Sequence, residues 1–357
     1  MIARWRAAIA VLFFGYLFTF GLSALAQSAN QSQPEPPPVA HPHPLREIRV
    51  ITFGGASNLP LWAAQRQGYL AAEGIEARIS YTPNSVYQMT QLLAGNFDVA
   101  LTAIDNVIAY QEGQNEAPIG PNPDLVVFAG TDNSFLSLVS QAPLKTVASL
   151  KGQTLTVDAM TTGYAFVLRE LLARAGIGPD DVRYIRTGGT PDRLRAMLAH
   201  PDQAATIQGT PFEFIGEARG LNTLLRVDEA FGPYQGFVVT GRRSWAASHH
   251  ADVVGLTRAL IRAIDWLYDP ANRPIAEALL VADVPGMSPD LARKTYNVVL
   301  APKNGFYRQV APDMDGIRAV LALRTKYGQP HKELTDPMKY LDLSYRAEAL
   351  ASPPPKE

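Results

Sequence analysis

The 357 residues contain no cysteine, and that absence removes several chemistries together. There is no disulfide, no thiolate metal site, no cysteine nucleophile and no lipid-modified cysteine to tether an exported chain. Histidine is scarce: six residues, at 41, 43, 200, 249, 250 and 331, none placed convincingly against an acid. No strong charge of either sign is present, with a net charge of −1 and a pI near 6.6. That balance gives no attraction for nucleic acid or another polyanion. No Walker loop, complete G-x-G-x-x-G, G-x-S-x-G elbow or H-E-x-x-H occurs. These absences predict no catalytic residues, no metal site and no cofactor.

What is present begins with an export-like N-terminus. Arg4 and Arg6 precede an apolar stretch over 7–22, and Ala24-Leu25-Ala26 supplies a small-x-small cleavage site. The expectation is a signal peptide over 1–26, cleaved after Ala26, and a periplasmic product with no lipid anchor. The alternative is a retained anchor, since the apolar stretch approaches spanning length. Residues 27–45 are rich in Pro, Gln and Ser and read as a disordered leader, with a disordered tail over 352–357.

Between these ends, 47% hydrophobic residues suffice for two cores. Short β-branched runs alternate with helical patterns, beginning with strand 47–53, which runs into Gly54-Gly55 and a helix led by Pro60. Strands follow at 76–82, 98–102, 125–130 and 135–140, then at 153–158, 182–187, 204–208 and 235–241. Helices are expected at 60–67, 85–94, 104–112, 164–175, 191–199 and 211–219, and the chain beyond 252 reads as wholly helical. The βαβ rhythm predicts α/β lobes, each a mostly parallel sheet with helices on both faces. LLAGNFDVALTAIDNVIAYQEG (92–113) echoes MLAHPDQAATIQGTPFEFIGEARG (197–220), which suggests two lobes on one plan. Packing the C-terminal helices back on the first sheet requires two chain crossings, near 131–140 and 235–241. Lobe 1 is then 46–138 with 237–351, and lobe 2 is 139–236.

Glycines and small hydroxylated residues recur where strands meet helices. There they cap the helices, or leave N–H groups at positive helix ends to hold an anion. Phe53, Phe135, Tyr164, Phe212 and Tyr234 lie near the same edge and offer stacking faces, whereas Trp62 reads as core. Arg186 is a candidate to pair an acid group, and Arg193 and Arg195 read as solvated.

SNLPLWAAQRQGYLAAEGIEARI (57–79) resembles the opening motif of the nitrate/sulfonate/taurine-binding class of ABC-importer binding proteins. That superfamily also holds binders of a thiamine pyrimidine precursor. QLLAGNFDVALTAIDNVIAYQEG and VASLKGQTLTVDAMTTGYAFVLRELLARAGI resemble its next elements, and PMKYLDLSYRAEAL (337–350) its usual ending. The resemblance implies a two-lobed periplasmic-binding-protein fold (type II) with two hinge crossings and ligand held between the lobes. It implies a small-molecule ligand, an ABC permease partner in the inner membrane, and a monomer. By matching positions it places Gly55, Ser57, Asn58, Thr102, Asp105, Thr161, Thr162, Gly163, Gly189 and Thr210 around the ligand. Asp105 there repels a small anion and favours a ligand with hydrogen-bond donors, or else it merely caps helix 104–112. The alternatives to transport are a receptor for a signalling partner, or an enzyme of thiamine-pyrimidine or menaquinone-type chemistry on the same fold.

Overall fold

The computed structural model describes residues 44–351, so the expected signal peptide, nearly all of the leader and the tail lie outside the described residues. Among the described residues ten strands form: β1 (Arg46–Thr52), β2 (Ile75–Tyr81), β3 (Val99–Ala103), β4 (Val126–Gly130), β5 (Leu136–Ser140), β6 (Thr154–Val157), β7 (Arg183–Arg186), β8 (Gln203–Gly209), β9 (Asn222–Arg226) and β10 (Phe237–Gly241). They make two five-stranded sheets, ordered β2-β1-β3-β10-β4 and β7-β6-β8-β5-β9. In each sheet four strands point the same way and the fourth in spatial order runs against both neighbours. The sheets are therefore mixed where mostly parallel ladders were expected. The cause is the crossings: β5 enters the second sheet from β4, and β10 returns to the first, each reversing direction as it arrives.

The repeated sequence stretches have a direct counterpart. β3 and β8 both lie third in their sheets, beside the reversed strand, each preceded and followed by a helix. Strands β3, β4, β5 and β10 are buried at all five positions. Runs such as VVFAG and FVVTG carry no polar face because helices cover the sheet on both sides.

Helices His250–Tyr268 and Ser344–Ala351 touch β4 of the first sheet, whereas Met314–Tyr327 lies between helices Ile104–Glu112 and Gly163–Arg174. The long amphipathic helix His250–Tyr268 lies against helices Leu59–Arg66 and Ser344–Ala351. The last segment is tied to the β4 edge, where Asp342 N–H donates to Val127 O at 2.9 Å. Strand β9 and helices Val227–Phe231 and Arg243–Ser248 had no expected counterpart.

The two crossings are laced side by side. Asp132 Oδ1 accepts the N–H of Ser134 at 2.6 Å and of Phe237 at 3.2 Å, one on each crossing. Gly236 N–H donates to Asp132 O at 2.8 Å, and Thr131 N–H to Phe237 O at 2.9 Å. Gln235 adds its side-chain amide to Asp132 O and Phe237 O. With so many bonds within about ten residues of chain, the crossings form one unit at the seam between the sheets.

Candidate ligand-binding site

At the seam, the carboxyl ends of β1, β3, β6 and β8 face a common cavity, the position at which open α/β sheets hold ligands. Counted out to its mouth, the empty space is about 560 Å³, but the centres of water molecules fit in only about 40 Å³ of it. The lobes are thus closed around a small space. Phe53, Gly54, Gly55, Ser57, Asp105 and Phe237 wall it from one side, and Asp158, Thr162, Tyr164, Arg193, Thr210 and Phe212 from the other, with Ser134 at a crossing.

Of the expected site residues, Gly55, Ser57, Asp105, Thr162 and Thr210 border the cavity. The other five shape it from behind. Asn58 folds its amide back on Phe53 O and Gly55 O, at 2.6 and 3.1 Å, and fixes the turn after β1. It makes no side-chain cap for the Leu59–Arg66 helix. Thr102 accepts from Asn106, and Thr161 offers its carbonyl to Arg324. Gly189 sits against Phe53, and Gly163 against Asp105. Gly55 itself has φ of 140°, a backbone state that side chains other than glycine's resist.

The helix termini do not stand free. The N–H of Gly163, first in the helix Gly163–Arg174, is taken by Asp105 across the seam. In return Asp158, after β6, accepts the N–H of Ser85, first in the helix Ser85–Leu93, at 3.1 Å. Gly189 N–H goes to Pro83 O at 2.8 Å and Ala56 N–H to Thr210 O at 3.1 Å. Acceptors of each lobe therefore take N–H groups of the other at these four places, and those four are not free to hold an anion.

Asp105 has neither of the roles weighed from sequence. It is buried, provides no cap to its own helix Ile104–Glu112, and pairs with Arg324 at 3.4 Å. Arg324, equally buried, also donates to Gln114 Oε1 at 3.1 Å and to Thr161 O at 3.1 Å. Burial pushes the Asp105 carboxyl up to about 6, with Arg324 and the Gly163 N–H pulling the other way. Its charge is compensated on the spot, so it is not a free negative group facing a ligand.

Two arginines change places relative to expectation. Arg186 is exposed and pairs with Glu116 at 3.0 Å on the rim, outside the cavity. Arg193, expected in solvent, is only 2% exposed and borders the cavity. Burial lowers its pKa from the ordinary guanidinium value, opposed chiefly by Asp158. Arg195 is exposed and pairs with Asp192. Arg193 escaped notice because the helix Thr190–Ala199 reads TPDRLRAMLA, whose two arginines look alike until the packing is known. Phe237 and Asp158 were missed as well. Of the aromatics, Phe53, Tyr164 and Phe212 reach the cavity, Phe135 and Tyr234 are buried elsewhere, and Trp62 is core.

Two sheets joined by paired crossings, with a cavity between them, define the two-lobed periplasmic-binding-protein class of fold. Within it the chain belongs to the NMT1/THI5-like family, whose model matches residues 56–273. Solved structures agree on the fold. A protein of Bordetella bronchiseptica superposes with a TM-score of 0.70 at 18% identity, over 85% of this chain and 97% of its own. The periplasmic nitrate-binding protein of Synechocystis PCC 6803 gives 0.65 at 13% identity, over 86% of each chain. The alkanesulfonate-binding protein of Xanthomonas axonopodis pv. citri, solved with MOPS bound, gives 0.64 at 18% identity, over 79% of this chain and 92% of that one. Comparison with curated proteins returns no match.

Proposed function

We propose that this chain is the solute-binding component of an ABC import system. It captures one small molecule between its lobes outside the cytoplasm and presents the closed form to a membrane permease. The observation that carries this reading is the cavity itself, walled by side chains from both sheets and bordered by the paired crossings. A ligand touching both walls favours the closed state by its differential contacts, and the laced crossings are where the lobes would hinge. We read the event as binding without covalent chemistry. Among the described residues no helix is long and apolar enough to cross a membrane. We read the lobes as 46–138 with 237–351, and 139–236, and the working unit as a monomer.

The test is a thermal-shift screen of the purified chain, unfolded and refolded to strip carried ligand. The panel is nitrate, taurine, sulfonates, aromatic carboxylates, pyrimidines and flavins. A ligand at about 100 times its Kd adds roughly 2.7 kcal/mol of stability, and the midpoint should rise by a few degrees. A saturable shift that also compacts the protein in small-angle scattering supports a receptor that closes on its ligand. No shift across the panel removes the support for this reading.

A further inference from the structure

Arg193 is a buried guanidinium with an unusual set of partners. Its Nη1 donates to Gly188 O at 2.7 Å, and its Nη2 to Thr190 Oγ1 at 3.3 Å and Ile207 O at 3.0 Å. Its Nε is buried and has no partner among the described residues. A buried donor left unpaired is costly, and because Arg193 borders the cavity, an acceptor on what fills the cavity could satisfy it.

The way the other nitrogens are used limits what Nε can read. A bidentate fork to a carboxylate, sulfonate or phosphate needs Nη2 in either of its two forms, with Nε or with Nη1. Both hydrogens of Nη2 are committed to Thr190 and Ile207. Arg193 therefore cannot form a two-oxygen clamp: Nε keeps its hydrogen for one acceptor atom, and the second Nη1 hydrogen does not lie beside it. At two helix starts along the seam the first N–H is already taken, that of Gly163 by Asp105 and that of Ser85 by Asp158.

The charge around the cavity points the same way. Its wall carries the carboxylates of Asp105 and Asp158 and the guanidinium of Arg193, with Arg324 paired to Asp105 directly behind. These four balance. Asp132, one layer back at the crossings, is buried without an ion pair among the described residues and adds only negative potential. An anion entering this space has neither a free counter-charge nor a fork to receive it, and unbalanced charge in a closed, dry space is expensive.

We propose that the cleft selects a ligand of zero net charge, neutral or zwitterionic, that presents a single acceptor atom to Arg193 Nε. This rests on the receptor reading above and narrows it, making Arg193 the residue that determines specificity.

The test uses matched probes on the whole chain: benzamide against benzoate, and glycine betaine against its carbon isostere tert-butylacetate. Each pair shares shape and differs in net charge. The expected result is a saturable shift with benzamide or glycine betaine and at least about tenfold weaker binding of the anionic partner, the equivalent of about 1.4 kcal/mol. Arg193→Lys keeps the charge but loses Nε, and should weaken the neutral probe about tenfold. Because a buried arginine variant can fail to fold, Asp158→Asn serves as a second variant. It retains an oxygen for the Ser85 N–H and leaves the cavity one charge more positive, so benzoate should gain about tenfold. Equal or tighter binding of an anion to the unaltered chain overturns the charge rule while leaving the receptor reading intact. An anionic ligand found in the wider screen does the same. A neutral ligand found there takes the place of the probes, and unchanged affinity in Arg193→Lys would then sink the assignment. Silence from the probes and from the wider screen removes both readings.

Discussion

The carboxylate of Asp105, in the first turn of the helix Ile104–Glu112, receives the N–H of Gly163, the first residue of the helix Gly163–Arg174 in the opposite lobe. The contact is close enough that a Cβ at Gly163 would stand 2.5 Å from Asp105 Cγ. Gly163→Ala should therefore push the lobes apart at this point or strain the helix start. Overpacking of this kind typically costs about 1–3 kcal/mol. A lower urea midpoint, or a larger radius of gyration with an unchanged midpoint, is the expected outcome. A variant matching the parent in both would show that the seam yields freely there.

Arg324 completes that contact from behind. It is fully buried, pairs with Asp105, and ties Gln114 to Thr161 across the seam. Arg324→Met leaves a buried carboxylate without its cation, a loss of about 3–5 kcal/mol in comparable cases. Adding Asp105→Asn removes the stranded charge, so the double variant should be more stable than Arg324→Met alone. If the double variant is no better, the role of Arg324 lies in packing against Phe166, 5.1 Å from its ring centroid, and not in charge.

The turn after β1 gives a third expectation. Gly55 holds φ at 140° beside Phe212 and the Thr210 carbonyl, 3.4 and 3.5 Å from where a Cβ would lie. Forcing a β-branched residue into such a backbone state costs on the order of 1–3 kcal/mol. Gly55→Val should thus reshape the cavity wall and abolish the ligand response in the thermal-shift assay while far-UV circular dichroism stays that of the parent. Retained affinity would remove Gly55 from the site.

Much of this architecture was legible in the sequence for a simple reason: glycine-terminated helices and all-apolar strands are local signals. Helix 104–112 has the expected bounds, and VVFAG and FVVTG could hardly be anything but covered strands. Strand β9 was not legible, because NTLLR is half-buried throughout and has neither alternation nor a continuous apolar run. The site was legible only where a backbone feature marks it, as at Gly55, or where a hydroxyl opens a helix, as at Thr162. Arg193 and Asp158 were missed because nothing near them in sequence records that Arg193 is drawn inward by the Ile207 carbonyl on β8 or that Asp158 meets Ser85 across the seam. Asp105 was found, yet its role was misread, since its partners lie 58 and 219 positions away.

The last expectation concerns pH. Burial raises six carboxyls: Asp105 and Asp132 to about 6, Glu213 to about 7, and Glu73, Asp158 and Asp283 in the same direction. Unfolded, each titrates near its ordinary value, so from about pH 4 to pH 7 the folded state holds more protons than the unfolded one. Stability then falls as pH rises through that window, by at most about 1.4 kcal/mol per pKa unit and group. Glu170 and Glu112 have lowered pKa values, and their contributions are lost only as pH falls below the usual carboxylate range, so they do not mask the trend. Asp132→Asn isolates one member. Its Oδ1 can keep the Ser134 and Phe237 N–H groups, so the crossings stay laced while the titration disappears. The parent should have a higher urea midpoint at about pH 5 than at about pH 7.5, and Asp132→Asn should show a smaller difference. Parallel pH profiles for the two proteins would mean that Asp132 stays ionised throughout, with its hydrogen bonds at the crossings outweighing the cost of burial.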